Sequence, residues 1–440
     1  MILSVKDRIT EPHLMLRNVC HSVLDTESNG YDYNNSRWIP ACARMTRNSV
    51  LIIGLVLSLF VSTSNVLASE WTGYSAAEYR YFQHQSLNSD PEQHDLSFVL
   101  APEFYHEWDE GRQSLIIAPF LRIDSEDAER THADLREARW LLSEDDWELQ
   151  LGVGKVYWGV TESQHLVDVI NQTDLVENSD TEDKLGQPMI NLSLFQDWGT
   201  VDLFVLPYFR ERTFAGKEGR LRSQLVVDTD KAHYESGAKQ HHVDLAIRWS
   251  HSIGDWDMAL SHFYGTNREP VLQINQTFTA LNPYYEIMNQ TGFELQNTTE
   301  AWLWKLEAIR RETSSETFTA LTGGFEYTFY GVFDSDLDVG LIGEYLFDDR
   351  NDELATPFED DVMIGTRITW NDEQSSELLL GVIQDLDSSD AAWNIEASRR
   401  LGNHWKASLE GRFFSVDETQ SALYQIRADD YIQLEFARYF

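Results

Sequence analysis

Alternation of apolar and polar residues, repeated along most of the chain, constrains this sequence more than any other feature. From Val201 the chain reads Val-Asp-Leu-Phe-Val-Leu-Pro-Tyr-Phe-Arg, which places Val201, Leu203, Val205, Pro207 and Phe209 on one face and Asp202, Phe204, Leu206, Tyr208 and Arg210 on the other. That is the side-chain period of a β-strand. The pattern returns where Val243, Leu245, Ile247 and Trp249 oppose Asp244, Ala246, Arg248 and Ser250, and where Trp405, Ala407, Leu409, Gly411 and Phe413 oppose Lys406, Ser408, Glu410 and Arg412. One face is apolar and often carries an aromatic at one end; the other mixes charges, hydroxyls and small residues. After residue 68, no segment approaches the roughly 18 consecutive apolar residues of a helical membrane span.

Eighteen segments of this kind can be marked, with cores at 73–82, 96–107, 114–124, 133–142, 147–158, 189–195, 200–210, 242–251, 256–264, 284–296, 301–311, 317–329, 336–347, 360–370, 377–386, 391–401, 404–414 and 431–440. Many are about ten residues long, enough for a tilted strand to cross a bilayer. Short links (196–199, 252–255, 297–300, 402–403) alternate with links that are usually longer (159–188, 211–241, 265–283, 415–430). A soluble β-sandwich or propeller also shows period two, but it has no reason to alternate its loop lengths or to place Trp and Tyr at the ends of apolar faces. Lipid offers no hydrogen bonds to an open sheet edge, so spanning strands must close on themselves. The expected fold is therefore all-β, a transmembrane antiparallel up-and-down β-barrel of 16–18 strands. The range reflects the segment 133–142 (ADLREARWLL), which alternates badly.

Residues 45–68 (MTRNSVLIIGLVLSLFVSTSNVLA) have a basic start at Arg47, an apolar run from Val50 to Val61 and a small-residue cleavage site ending at Ala68. This is the layout of a secretory signal peptide, with an apolar run too short for a permanent anchor. The 44 residues before Met45 do not suit a signal peptide, so translation is expected to start at Met45, leaving residues 1–44 outside the native protein and 69–440 as a single barrel domain. The only cysteines, Cys20 and Cys42, precede that start. A mature chain without cysteine suits export through an oxidising compartment.

The chain ends Tyr431-Ile-Gln-Leu-Glu-Phe-Ala-Arg-Tyr-Phe440, with Ile432, Leu434, Phe436 and Phe440 on one face. This resembles the terminal signal that outer-membrane barrels present to their assembly machinery, with Arg438 standing where an apolar residue is commoner. Gly154-Lys-Val-Tyr-Trp-Gly159 followed by Asp168-Val-Ile-Asn-Gln-Thr-Asp174, then Leu203-Phe-Val-Leu-Pro-Tyr-Phe-Arg210 and His262-Phe-Tyr-Gly-Thr-Asn-Arg-Glu-Pro270, resemble a porin-like family of Gram-negative outer-membrane β-barrels of largely unassigned substrate. The resemblance spans about residues 73–270. It implies an outer-membrane pore or transporter and carries over no catalytic residue.

Taking the polar side of each strand as the lumen gives Arg122, Arg210, Arg248, Arg367, Arg400 and Arg412 interspersed with Glu103, Asp202, Asp244, Glu326, Asp338, Glu344, Glu396 and Glu410. Charges of both signs around a narrow aqueous path would set up a transverse field that selects by charge and size. Alternatively, they pair across strands and satisfy one another. The segment 159–188, with Asp168, Asn171 and Asp174 and an apolar run at 166–170, suits a constriction loop folded into the barrel, or else a solvated outer loop. Eleven histidines after residue 68 show no metal-ligand spacing, and no G-x-S-x-G nucleophile motif occurs there. No resident metal or cofactor is therefore expected.

With 34 basic and 73 acidic residues the chain carries a formal charge of −39, which argues against nucleic acid as a partner. The eighteen cores hold 24 acidic and 16 basic residues, whereas the connections after residue 68 hold 44 and 12. The excess lies mainly in the loops, which would face anionic lipopolysaccharide and hold Ca²⁺ or Mg²⁺ loosely. The expected partners are outer-membrane lipid and lipopolysaccharide, the barrel-assembly machinery at Phe440, and a small hydrophilic solute. The expected function is an outer-membrane channel for diffusion of such solutes. The alternatives are a barrel hydrolase acting on lipid or peptide and a non-conducting structural or adhesive barrel.

Overall fold

The computed structural model describes residues 69–88, 91–350, 356 and 358–440. The signal peptide expected at 45–68, the start expected at Met45 and both cysteines lie outside the described residues. The strands are β1 (Ser69–Phe82), β2 (His94–Trp108), β3 (Gln113–Asp124), β4 (His132–Ser143), β5 (Trp147–Gly154), β6 (Gln187–Gln196), β7 (Gly199–Leu206), β8 (His233–Tyr234), β9 (Asp244–Ile253), β10 (Trp256–Thr266), β11 (Val271–Ile274), β12 (Leu281–Tyr285), β13 (Ile287–Thr299), β14 (Trp302–Glu312), β15 (Thr317–Phe329), β16 (Asp338–Asp348), β17 (Asp360–Thr369), β18 (Glu377–Asp385), β19 (Ala391–Leu401), β20 (Trp405–Ser415) and β21 (Tyr431–Tyr439).

Eighteen of these form one antiparallel sheet in which each strand pairs with its neighbours in chain order; the short β8, β11 and β12 form a separate sheet within the longer connections. The large sheet closes because β1 pairs with β2 on one side and with β21 on the other, Tyr74 opposite Tyr439 and Phe82 opposite Tyr431. Closure leaves no strand edge unpaired, the condition that lipid imposes.

Period two sets the two faces of the wall. Leu203, Val205, Leu245, Ile247, Ile364, Leu434 and Phe436 are exposed on the outer face, whereas Glu78, Arg122, Arg248, Glu294, Glu307 and Glu344 are buried inside. A soluble protein would reverse this arrangement. At the end of the barrel with short turns, Trp302 and Trp304 stack at 5.2 Å and continue into Phe325, Tyr327 and Phe329. At the opposite end Tyr79 and Tyr81 pack on His94. Amphipathic rings at both levels match the girdles of a membrane barrel. Two of the tight turns use a left-handed glycine, Gly254 (φ 63°) between β9 and β10 and Gly402 (φ 69°) between β19 and β20, a conformation that costs glycine little.

All eighteen expected cores overlap strands of the large sheet, with adjustments; the core 284–296 begins in β12 of the small sheet and enters the barrel only at Ile287. The core 147–158 ends at Gly154 and the core 200–210 ends at Leu206, so Arg210 lies off the sheet, contrary to its assignment to a strand face. Their apolar residues continue because Trp158 and Phe209 are buried among protein side chains. In β4 the register shifts: Leu135 opposes Pro119 and Glu137 opposes Ala118, skipping Arg136. A bulge of this kind places an extra residue on the strand and interrupts its parity. It also falls at Pro119, which has no N–H to give to the ladder.

Candidate functional site

The connection between β5 and β6, residues 155–186, folds into the barrel. Its apolar run provides one reason: Val167, Val169 and Ile170 pack with Trp158 against Met189, Phe204, Ala246, Phe263, Met288 and Ile309 on the inner wall. Fully burying such side chains contributes about 1.5–3 kcal/mol each. The neck of the loop is tied by Asn171, which accepts from Val156 N at 2.9 Å and donates to Gly154 O at 3.0 Å and Leu185 O at 2.8 Å.

Carboxylates on one side of the wall receive the loop's backbone. Glu307 on β14 accepts from Val160 N at 2.6 Å, Thr161 N at 2.9 Å and the Thr161 hydroxyl at 2.6 Å. Glu344 on β16 accepts from Glu162 N at 2.7 Å and from Ser163 N at 2.8 Å and its hydroxyl at 2.6 Å. Glu162 in turn lies 2.8 Å from Arg367 and 3.6 Å from Lys305. His165 spans from Glu182 at 3.1 Å to Glu307 at 3.7 Å. Burial disfavours the charged imidazole, but Glu182 and Glu307 outweigh it and raise its pKa well above the ordinary 6.5.

The far end of the same loop is held by the other side of the wall. Arg122 on β3 reaches Glu177 at 2.7 Å and Glu78 at 3.0 Å, and Arg130 meets Glu78 at 2.7 Å. Burial alone would raise the Glu177 carboxyl; Arg122, joined by His132 and Arg136, holds it well below the carboxylate range. Asp180 pairs with Arg412 on β20 at 3.1 Å, and Asn178 donates to Glu410 at 3.1 Å. The loop thus crosses the lumen from β14–β17 to β3 and β20.

Beside this crossing runs a cavity of about 3040 Å³. Glu70 and Asn403 line it at the short-turn end and Val271 and Leu423 at the long-loop end, with Lys155, Glu162 and Lys184 of the crossing loop between them.

The lumen assignments from parity divide into groups. Glu103, Asp202 and Arg400 line the cavity. Arg122, Glu344, Arg367, Glu410 and Arg412 hold the loop, as described above. Arg248 forms a two-point pair with Glu294 at 3.0 Å, Glu326 lies 3.5 Å from Arg367, and Glu396 lies 2.8 Å from Arg412. Asp244, at the end of β9, accepts from Thr266 N at 3.0 Å and pairs with Arg268 at 2.8 Å. Asp338 braces a short turn, accepting from Gly331 N and Asn371 Nδ2, both at 2.9 Å. Arg210 donates to Gly186 O at 3.2 Å and lies 3.5 Å from Asp134. Of the loop residues, Asp168 pairs with Lys184 at 3.3 Å, Asn171 ties the neck, and Asp174 accepts from the Thr213 hydroxyl at 2.6 Å.

Glu78, Glu294, Lys305 and Glu307 were missed by the sequence reading, although the parity of their own strands places them inside. His132, Asp174 and Glu177 bring ligand atoms within 4.8 Å of one another, a grouping invisible to sequence spacing. Arg122, Arg130 and Arg136 crowd the same place and supply the positive charge that a cation would bring.

A closed 18-stranded antiparallel up-and-down sheet whose lumen is crossed by one of its own loops defines the fold as a transmembrane β-barrel. Among solved structures it is similar to engineered variants of the Rhodopseudomonas blastica porin, at 13% identity and a TM-score of 0.42, covering 84% of this chain and 100% of that one. A structure described by the asymmetric conductivity of engineered proteins matches to the same extent. No family model matches the sequence, and no curated protein does.

Proposed function

We propose that the protein is an outer-membrane channel through which small hydrophilic solutes diffuse down their gradients, exported by a cleaved signal at 45–68. The observation that carries this reading is the cavity of about 3040 Å³, which runs from one end of the barrel to the other past charged side chains such as Glu70, Glu103, Lys155 and Glu269 as well as apolar ones. The crossing loop narrows that path. Its anchors on both walls suit a fixed constriction: Glu307 and Glu344 hold one end, and Arg122 and Arg412 hold the other. Paired charges such as Arg248–Glu294 and Arg367–Glu162 fix the shape of the lumen while keeping it polar.

Liposome swelling with neutral solutes of graded size tests the reading. Proteoliposomes should swell fast with the smallest sugars and progressively more slowly as solute size rises. Swelling no faster than in protein-free liposomes for every solute would overturn it.

A further inference from the structure

At the long-loop mouth two guanidiniums pair with one carboxylate, and a third acts on it from nearby. Glu269, between β10 and β11, lies 3.0 Å from Arg311 Nη1 and 2.9 Å from Arg350 Nη1, and Arg212 adds its positive charge. All four residues line the cavity.

The cations are built into their surroundings. Arg311 Nε donates to Gln290 at 2.7 Å, Asp348 grips Arg350 through both oxygens, and both guanidiniums lie over the Phe318 ring, at 5.3 and 4.4 Å. Arg212 Nε donates to Gln172 at 3.1 Å, and its two terminal nitrogens have no hydrogen-bond partner among the described residues. The carboxylate is held differently: the side chain of Glu269 is 42% exposed, against 9% for Arg311 and 15% for Arg350.

The other acids nearby are Asp348, Glu316 and Glu286. Asp348 is committed to Arg350, and Glu286 accepts from the Ser314 and Ser315 hydroxyls at 2.6 and 2.8 Å. Glu316 has no hydrogen-bond partner on its buried Oε2 among the described residues, and burial raises its pKa while Arg350 and Arg311 lower it. Moving Glu269 aside therefore leaves Arg212 and Arg311 facing the cavity without a committed carboxylate. A guanidinium fork matches a carboxylate in two parallel hydrogen bonds.

We propose that Arg212, Arg311 and Arg350 form a binding station for dicarboxylate solutes at this mouth, with the exposed carboxylate of Glu269 as the internal stand-in that the solute displaces. One solute carboxylate takes the place of Glu269 on Arg311 and Arg350, and the second meets the free nitrogens of Arg212. The proposal rests on the channel reading and gives it a solute class.

Succinate is the probe, used in two measurements on the full-length protein. In planar bilayers, succinate added at the long-loop side should interrupt the open current, and inorganic phosphate should do so less effectively. Calorimetric titration of the detergent-solubilised barrel reads the same binding without needing conductance. Glu269→Gln should strengthen succinate binding about tenfold, and Arg212→Gln should weaken it by at least about tenfold. Equal binding of succinate and phosphate, or binding unchanged in both variants, would overturn the station. A barrel that conducts but neither binds succinate nor is blocked by it would overturn the station and leave the channel standing; a barrel that binds succinate but passes no current would do the reverse.

Discussion

Arg122 on β3 grips Glu177 of the crossing loop with Nε at 2.9 Å and Nη2 at 2.7 Å, joining residues 55 positions apart inside the barrel. Both side chains are buried, and Glu78 takes the remaining side of the guanidinium. Removing one partner of a buried pair leaves the other charge uncompensated, at a cost of about 3–5 kcal/mol. Glu177→Ala should destabilise the folded barrel by that order in denaturant unfolding. Replacing Glu177 and Arg122 together should cost less than the sum of the two single changes. Strict additivity would show that the pair does not act as a unit.

Glu307 anchors the opposite end of the loop through three hydrogen bonds to Val160 and Thr161. Bonds to a charged acceptor are each worth about 1.5–3 kcal/mol. In Glu307→Ala residues 160–167 lose their hydrogen bonds to β14. Limited proteolysis should then cut within that stretch at least about tenfold faster than in wild type. Unchanged cleavage would show that the apolar packing of Val167 and Ile170 holds the loop without Glu307.

Loop attachment should depend on pH with opposite signs at its two ends. The pKa of His165 is raised well above 6.5 because Glu182 and Glu307 outweigh burial, so its contribution is complete below 6.5 and is lost as pH rises through the raised value. The carboxyl of Glu177 is lowered well below 4.5 because Arg122 and His132 outweigh burial, so its contribution is complete above 4.5 and is lost only as pH falls through the lowered value. Proteolysis of the loop should therefore stay slow near neutrality and rise in alkali. His165→Gln should abolish the alkaline rise; if the rise persists in that variant, His165 is not its source.

The outer face carries its own prediction. Ile364, at the middle of β17, is 62% exposed and points away from the lumen. An arginine at the midplane of a lipid-facing strand costs about 2–4 kcal/mol. Ile364→Arg should lose that much stability in lipid vesicles. A loss below about 0.5 kcal/mol, the usual limit for a water-facing surface substitution, would mean that this face does not meet lipid.

The strands were legible because parity is local. The bulge in β4 was not, because skipping Arg136 depends on its partner β3 and appears in the sequence only as failed alternation. The strand ends at 154 and 206 were overrun for a related reason, since Trp158 and Phe209, buried against protein beyond those ends, prolong the apolar composition of the strands before them. Charge parity brought Arg122, Glu344, Arg367 and Arg412 inside without saying what they touch, because pairing needs the stagger of strands and the path of the loop. The grouping of Arg212, Arg311 and Arg350 around Glu269 joins separate connections and strands, so spacing holds no trace of it.

Single-channel recording in planar bilayers tests the central claim most directly, that the crossing loop sets the aperture of an open barrel. Wild type should give discrete conductance steps, and the combined Glu307→Ala and Glu177→Ala variant, which removes one anchor at each end of the loop, should give larger or noisier ones. Silence where a control porin conducts, or steps identical in wild type and variant, would contradict it.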